Sequence, residues 1–498
     1  MYDTILVLAV GTGFGLAATW ACRAAARAVG LVDCPDGRRK LQTAPVALAG
    51  GVAVLASTVA TLFAVALVRS EVAESLLLHL DRGLALIAAG GAIVVVGLLD
   101  DRRGLRARHK LSGQIAAVLI LVYPGGFVID EVHLLGETFR LGYAAVPVSI
   151  FWFLAAINSL NLLDGMDGLL GTIALIIVGS LAWMAFAIGN TFVGWVALAL
   201  AGGLIGFLRF NLPPASVYLG DAGSMLIGLC IGALAIGASL KGPAVAIVAP
   251  AVLLVLPILD TSAAIVRRKL TGRGLAAADR GHLHHILQRK GMNRHWVLAL
   301  VATLGMVASA GALTATFLQN DLLAALSAAA VATILLTTGL FGTAEVRLIG
   351  ERARAVYRAA VGRQPHVELA VRLQGTADWT EVWQRLVLAA HELRLESVRL
   401  DVNAPSWHEA FLGRWNRRTT TSLCEQDTWM LEVPVIGHCE VIGRLTVAGV
   451  RAFAPFAEQI AELCAAIADA EALATQAAPR TAPTPFLDRP ARTAPAAA

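Results

Sequence analysis

The chain has 498 residues, of which 57% are hydrophobic and 15% are charged, and its formal net charge is +5. Soluble globular proteins carry about 25% charged residues, so this composition excludes an ordinary soluble protein and indicates one that crosses a membrane several times. The surplus of Lys and Arg does not indicate a nucleic-acid-binding protein, because no basic patch is interleaved with aromatic residues.

Apolar stretches long enough to cross a membrane recur over the first two thirds of the chain. A hydrocarbon core of about 30 Å takes about 20 residues as a helix. We predict about eleven such helices, of which the third and fourth are short and contain Gly or Pro, at residues 3–26, 46–68, 83–99, 112–128, 143–160, 168–188, 192–208, 223–240, 244–266, 295–317 and 322–342. The first has no basic residues before it and no small-residue cleavage site after it, so we interpret it as a retained helix and not as a signal peptide.

The orientation follows from the basic residues in the loops. Loops after odd-numbered spans contain most of them, at 38–40, 100–110, 208–211 and 267–294. Because such loops stay in the cytoplasm, we expect the N-terminus outside and the C-terminus in the cytoplasm. The six Cys residues form no CxxC pair, which is typical of a reduced compartment without disulfides.

The character of the chain changes near residue 345. We predict a transmembrane domain over 1–345, a charged linker over 346–365, a soluble α/β domain over 366–475 and a disordered tail over 476–498. Within the soluble domain, strands are expected at 366–374, 396–403, 428–437 and 439–449, and helices at 379–395 and 455–476. The domain shows no metal or catalytic motif, so we interpret it as a regulatory or assembly module, loosely similar to small GAF or PAS sensor domains.

Four polar clusters interrupt the apolar sequence at the predicted cytoplasmic face. They are GLLDDRRGL (97–105) with Lys110 and Gln114, NSLNLLDGMDGLLG (158–171), residues 207–228, and residues 257–287. A single cluster is compatible with a solvated loop. Four clusters at one face indicate a shared site.

Acidic residues dominate the first two clusters. Asp100 and Asp101 end a predicted helix, where acids are unfavourable with the helix dipole, so a functional role is favoured over a helix end that reaches water. Asp164 and Asp167 have i, i+3 spacing and would face one way on a helix. The alternative for that segment is a turn capped by Asn and Asp.

Asp221 lies in LGDAGS at the start of a predicted span. Alone it would be interpreted as a helix N-cap. Beside the other acids it is a natural Mg²⁺ ligand, because Mg²⁺ is bound by one or two carboxylates together with substrate phosphates. The implied substrate is a phosphate ester.

The motif HLHH (282–285) suggests zinc or phosphate. No Cys or further His lies at zinc-finger spacing, and a structural zinc site needs four protein ligands. Phosphate binding is favoured because Arg recognises phosphate through paired hydrogen bonds, and the flanking residues include Arg267, Arg268, Arg273, Asp279 and Arg280.

Together these motifs resemble the polyprenyl-phosphate N-acetylhexosamine-1-phosphate transferases of glycosyltransferase family 4. The resemblance rests on the Asp pair with Lys110 and Gln114, on NxxNxxDGxDGL, on NxPPAxxxxGDxGS, and on PxxDTxxxxxRRxxxGRxxxxxDRxHLHHxL, and it covers about residues 1–345. The final HLHH is similar to the WecA/TagO branch and not to the MraY branch.

The resemblance implies an all-α polytopic enzyme of the bacterial cytoplasmic (inner) membrane with its active site at the cytoplasmic face. It would transfer a sugar 1-phosphate from a UDP-sugar, with UDP-N-acetylglucosamine the first choice, to undecaprenyl phosphate and release UMP. The cofactor implied is Mg²⁺, with Mn²⁺ as a substitute, and a homodimer is expected.

The resemblance also implies roles for individual residues. Asp221 would bind the metal, Asp100 and Asp101 would lie near the lipid phosphate, and Asp164 would support the phosphate and metal region. The remaining expectations are a uridine pocket of Gly165, Asp167, Asn211 and Tyr218, an active-site floor with Lys110 and Asn161, and a loop for sugar and diphosphate with His282, His284, Arg268 and Arg280.

Two positions depart from the family pattern. Gln42 replaces a His and Leu48 replaces an Arg in the segment after the first span. These two replacements are expected to change the affinity for the lipid acceptor or the choice of sugar donor. Two alternatives stay open at this point: a transporter for phosphorylated metabolites, and a catalytically inactive receptor or scaffold of the same fold.

Overall fold

The computed structural model describes residues 2–34, 44–134, 137–239, 248–271, 281–361, 366–374, 379–404, 409–417, 428–437 and 440–450. These residues form two compact units. The membrane unit comprises the described residues up to Ala264 together with His282–Phe341, and the C-terminal unit comprises 265–271, Gly281 and the described residues from Gly342 onward.

The membrane unit is helical. In chain order its helices are α1 (Tyr2–Ala28), α2 (Gly50–Ala66), α3 (Ser70–Leu78), α4 (Leu80–Arg103), α5 (Ala107–Val122), α6 (Ala145–Leu163), α7 (Leu169–Ala187), α8 (Thr191–Asn211), α9 (Gly220–Ser239), α10 (Val248–Val252), α11 (Val255–Thr271), α12 (Leu283–Arg289), α13 (Arg294–Leu318) and α14 (Asp321–Thr337). The last residues of α11 belong to the C-terminal unit.

Among the described residues, seven helices are long and apolar enough to cross a membrane, or eight if α2 and α3, bent by 118°, form one broken span. A multi-pass helical membrane protein is thus confirmed, whereas the number of eleven is not. Helix α5 has 16 residues and helices α11 and α14 have 17 each, which is short for a span. The predicted span 244–266 begins outside the described residues.

Small residues let the central helices approach closely. A Cβ atom at Gly206 of α8 would lie 2.5 Å from the backbone nitrogen of Leu16 in α1, and one at Gly97 of α4 would overlap the backbone of Ala222 in α9. Close backbone packing of this kind is the usual means of helix association in lipid. The Gly97 contact brings the end of α4, which carries Asp100 and Asp101, against the start of α9, which carries Asp221.

Five short strands accompany these helices. β1 (Val32–Asp33), β2 (Val46–Leu48) and β5 (Val217–Tyr218) form one sheet, and β3 (Glu131–Leu134) pairs with β4 (Glu137–Arg140) in a hairpin. Leu48 of β2 lies beside Tyr218 of β5 in a parallel pairing. The other departure from the family pattern, Gln42, lies outside the described residues.

The C-terminal unit contains helices α15 (Thr343–Val361) and α16 (Trp379–Glu392) and an antiparallel sheet. The sheet strands are β6 (His366–Gln374), β7 (Ser397–Ala404), β8 (Glu409–Arg417), β9 (Thr428–Gly437) and β10 (Glu440–Val450), in the order β6-β8-β7-β10-β9. Strand β8 was not predicted. Most of the predicted linker 346–365 is helical in α15, and the predicted helix 455–476 and the tail lie outside the described residues.

Candidate active site

The carboxylate of Asp101 binds the first turn of α9. Its oxygens accept hydrogen bonds from the backbone N–H groups of Asp221 at 2.9 Å and Ala222 at 3.3 Å. A carboxylate at a helix N-terminus satisfies free N–H donors and is favourable with the helix dipole. Asp101 therefore anchors α9 in this structure, and the capping role that Asp221 alone would suggest is filled by another residue.

Asp221, Lys110, Asp100 and Asn161 form one connected network. The Nζ atom of Lys110 lies 2.9 Å from Oδ2 of Asp100 and 3.0 Å from Oδ1 of Asp221. Asn161 donates to the same Oδ1 atom at 2.6 Å and accepts from Lys110 at 3.3 Å. Four residues from four helices thus converge on one point, and they come from the first three of the four polar clusters.

Asp164 adds a further carboxyl group at the end of α6. Burial, together with the negative charges of Asp221, Asp101 and Asp167, raises the pKa of Asp164 to about 8. Like charges gathered in this way are unfavourable without a cation. The arrangement therefore favours binding of a positive group near Asp164.

The carboxylate oxygens of this network suit an ion such as Mg²⁺, which also binds water and substrate, better than a metal ion enclosed by protein ligands alone. Among the described residues, no three His, Cys, Asp or Glu side chains converge closely enough to hold a metal ion by themselves. Mg²⁺ does not require such a cage, because it retains water and substrate phosphate oxygens among its ligands. The carboxylate of Asp221, which pairs with Lys110, is the group that would hold it.

Asn211 joins two loops at the side of this network. Its side-chain oxygen accepts from Gly168 N–H at 3.1 Å, and its amide donates to the Val217 carbonyl at 2.9 Å. Asp167 likewise accepts from Ala215 N–H at 3.1 Å, and Arg294 lies 3.6 Å from it. Two residues expected in a uridine pocket therefore also fix the loops that would form it.

Tyr218 completes this second group of expected residues. Burial raises its pKa to about 12, and the negative charges of Asp167 and Asp33 act in the same direction. The phenol is therefore neutral and able to act as a hydrogen-bond donor near pH 7.

The histidine segment is held by Asp260, the aspartate of the PxxDT motif, which was not among the predicted site residues. His282 Nδ1 lies 2.9 Å from Oδ2 of Asp260, and Leu283 N–H donates to Oδ1 of the same carboxylate at 2.8 Å. Asp260 is 1% exposed. Its signal in the sequence was a lone acid in the apolar run PILDTSAAI, and its partner His282 lies 22 residues further along.

His284 lies against the backbone of Gly165. A Cβ atom at Gly165 would overlap the imidazole ring, so no other residue fits there without displacement. His284 is 2% exposed, and within the described residues neither ring nitrogen has a hydrogen-bond partner. Burial, aided by His285 and His282, lowers the pKa of His284 well below its ordinary value. A neutral, buried and unpartnered imidazole is suited to bind a ligand.

The two expected arginines are placed differently. Arg268 lies on the part of α11 that belongs to the C-terminal unit, and Arg280 lies outside the described residues. The structure thus brings together Asp100, Asp101, Lys110, Asn161 and Asp221, and separately Gly165 with His284 and Asp167 with the Asn211 loop.

Residues 83–239 match the family described as glycosyl transferase family 4. The chain is also 30% identical over 289 residues to a probable undecaprenyl-phosphate N-acetylglucosaminyl 1-phosphate transferase of Bacillus subtilis (strain 168), covering 57% of this chain and 77% of that relative. The chain belongs to this glycosyl transferase family. It is therefore a phosphotransferase of the group that joins a hexosamine 1-phosphate to a polyprenyl phosphate.

Two further relatives show how broad this transferase family is. A decaprenyl-phosphate N-acetylglucosaminephosphotransferase of Mycolicibacterium smegmatis is 33% identical over 281 residues, which are 51% of this chain and 68% of the relative. A phospho-N-acetylmuramoyl-pentapeptide-transferase of Thermoanaerobacter sp. (strain X514) is 31% identical over 242 residues, which are 45% of this chain and 75% of the relative. Family membership alone therefore leaves the sugar and the lipid to be assigned.

Proposed function

We propose that the enzyme transfers N-acetylglucosamine 1-phosphate from UDP-N-acetylglucosamine to undecaprenyl phosphate, releases UMP and initiates a lipid-linked cell-envelope glycan. The observation that carries this proposal is the network of Asp100, Lys110, Asn161 and Asp221, in which carboxylates outnumber cations. The N-acetylglucosamine assignment is supported by the names of two relatives and by the HLHH motif.

The proposed reaction is a direct displacement at phosphorus. A phosphate oxygen of the lipid bonds to the β-phosphorus of the donor, the bond from that phosphorus to the bridging oxygen breaks, and its electron pair leaves with UMP. A phosphate monoester has a second pKa of about 6, so much of the acceptor is already a dianion at neutral pH. A strong general base is therefore not required, and Asp100 serves chiefly to orient Lys110.

The other side chains of the site have separate proposed roles. Lys110 offsets negative charge where the two phosphates meet, and Asn161 orients the Asp221 carboxylate for Mg²⁺, with Mn²⁺ as a substitute. When bound, the ion would neutralise diphosphate charge as UMP departs. His284, which is neutral and beside Gly165, would contact the sugar and diphosphate of the donor, while Asp260 keeps His282 in place.

We further propose that the enzyme lies in the bacterial inner membrane, with this site at the cytoplasmic face and residues 366–475 as a separate cytoplasmic domain. The basic loops support that orientation. A homodimer is expected from the family and is tested by light scattering of the purified protein.

The test is UMP release together with lipid-extractable label from radiolabelled UDP-N-acetylglucosamine, using purified protein, undecaprenyl phosphate and Mg²⁺. The proposal predicts equimolar UMP and labelled lipid, and loss of both without lipid or metal. Turnover restricted to another UDP-N-acetylhexosamine would contradict the donor assignment. Absence of UMP release with every donor would favour the inactive receptor. Uptake of a phosphorylated metabolite by vesicles that contain the protein would favour the transporter. The relatives named above are transferases and support neither alternative.

A further inference from the structure

Arg267 and Glu345 form a buried ion pair within the C-terminal unit. Arg267 lies on α11 and is 4% exposed, whereas Glu345 lies in the first turn of α15 and is 6% exposed. The guanidinium Nη1 atom contacts Oε1 of Glu345 across 78 residues of sequence. Burial of two charges is costly unless they are well paired, so the contact must fix the two helices at this point.

The guanidinium of Arg267 also packs on Gly281. A Cβ atom at Gly281 would lie 2.5 Å from Nη2 of Arg267 and would overlap its central carbon, so the contact requires glycine. Gly281 directly precedes His282 in the chain. The Arg267 side chain therefore limits where the backbone can enter the histidine segment.

Helix α11 holds this segment at two places. Asp260, Ala264, Arg267 and Thr271 are buried at i, i+4, i+7 and i+11, which places them on one helical face. Asp260 binds His282 and the backbone of Leu283, and Arg267 packs on Gly281. The segment 281–283 is thus fixed by an acid and a base two helical turns apart.

We propose that Glu345 and Arg267 are positioning residues for the transferase. Glu345 holds the Arg267 guanidinium against Gly281, and this contact sets the backbone that leads to His282 and His284. Within the described residues, both ring nitrogens of His284 are buried without a hydrogen-bond partner, so a small displacement of its backbone would change what they face. The first helix after the membrane unit thereby contributes to turnover and does not act only as a linker.

The first test is Glu345→Gln in the full-length protein, with Glu381→Gln as the matched control. Glu381 also pairs with an arginine, Arg385, but both side chains are exposed. We expect kcat for UMP release to fall about 10-fold or more in Glu345→Gln, as for a catalytic group displaced by a fraction of an ångström, and to stay unchanged in the control. Full activity of Glu345→Gln would overturn the proposal.

Hydrogen exchange separates positioning from general loss of folding. Glu345→Gln should speed amide exchange in residues 281–287 while helix α16 exchanges as in the wild type. Faster exchange throughout the C-terminal unit with no specific change at 281–287 would overturn the proposal. This measurement needs no substrate, so it remains informative if UDP-N-acetylglucosamine proves to be the wrong donor.

A double-mutant cycle tests whether the contacts form one chain. Gly281→Ala should displace the guanidinium, so adding it to Glu345→Gln should lower kcat little beyond the worse single variant. Full additivity would contradict the proposal. Arg267→Lys, which keeps the charge but loses the planar group, should remain impaired, and wild-type kcat in that variant would show that stacking on Gly281 is irrelevant.

Discussion

Charge is arranged differently in the two units of the molecule. In the membrane unit, Asp100, Asp101, Asp164 and Asp221 lie around a network whose contacting cation is Lys110. In the C-terminal unit, Arg267 pairs with Glu345 and Arg444 pairs with Glu432. The excess of carboxylates around Lys110 indicates a place for a cationic or metal-bound ligand. The pairs of one acid with one base in the C-terminal unit indicate a structural role.

The largest effect that this comparison predicts is that of Lys110→Met. The substitution leaves the carboxylates of Asp100 and Asp221 without their shared cation, which is strongly unfavourable when both are partly buried. We expect at least a 100-fold loss of UMP release together with a lower melting temperature. Lys290→Met, which removes an exposed ammonium that contacts the Gly339 carbonyl, should keep most activity. Comparable losses in both variants would contradict the special role of Lys110.

Gly165→Ala tests the contact between the acidic loop and the histidine segment. The added methyl group would overlap the His284 ring, so we expect a loss of kcat of about 10- to 100-fold. The matched control is Gly179→Ala, because a Cβ atom there meets no other atom within 4 Å. The measurement is the steady-state rate of UMP release for the two variants. Equal rates would show that catalysis does not depend on the position of His284 against Gly165.

Asp164→Asn should reveal the pH dependence of the acidic group. The raised pKa of about 8 means that the folded protein disfavours the ionised form of Asp164. Its contribution to stability is complete below about pH 4 and is lost as pH rises to about 8. In metal-free buffer, wild-type melting temperature should therefore fall relative to that of the Asn variant between these limits. A difference in melting temperature between wild type and Asp164→Asn that does not change with pH would contradict the buried, negatively charged surroundings assigned to Asp164.

The smallest effect should come from a balanced pair on the surface. Arg444 and Glu432 contact at 2.6 Å but are 72% and 50% exposed. Exposed pairs contribute about 0 to 1 kcal/mol, so Arg444→Gln should change neither kcat nor the melting temperature by more than a few per cent or a few degrees. Loss of turnover in this variant would show that the surface of the C-terminal sheet takes part in the reaction, which would contradict a purely structural role for this pair.

The sequence predicted the parts that depend on composition and local spacing. Helix α7 (Leu169–Ala187) closely follows the predicted span 168–188, and the acids of separate clusters do converge. Long-range partners were not predictable. Nothing local shows that Asp101 binds the start of α9, that Asp260 holds His282, or that Glu345 pairs with Arg267.

The missed strand β8 has a similar physical explanation. Its sequence EAFLGRWNR is broken by Gly413, and glycine weakens a strand pattern. In the fold that position must lack a side chain, because the ring of Trp383 in α16 occupies the space where a Cβ atom would lie. The residue that obscures the strand in the sequence is required by its packing.

We expect Asp221, oriented by Asn161 and Lys110, to serve the transfer reaction. The most direct measurement is lipid-extractable label from UDP-N-acetylglucosamine for Asp221→Asn across a Mg²⁺ titration, with the exposed Asp130→Asn as control. We predict that Asp221→Asn loses at least about 100-fold in activity or metal affinity while the control retains both. Wild-type activity and an unchanged Mg²⁺ requirement in Asp221→Asn would contradict the account.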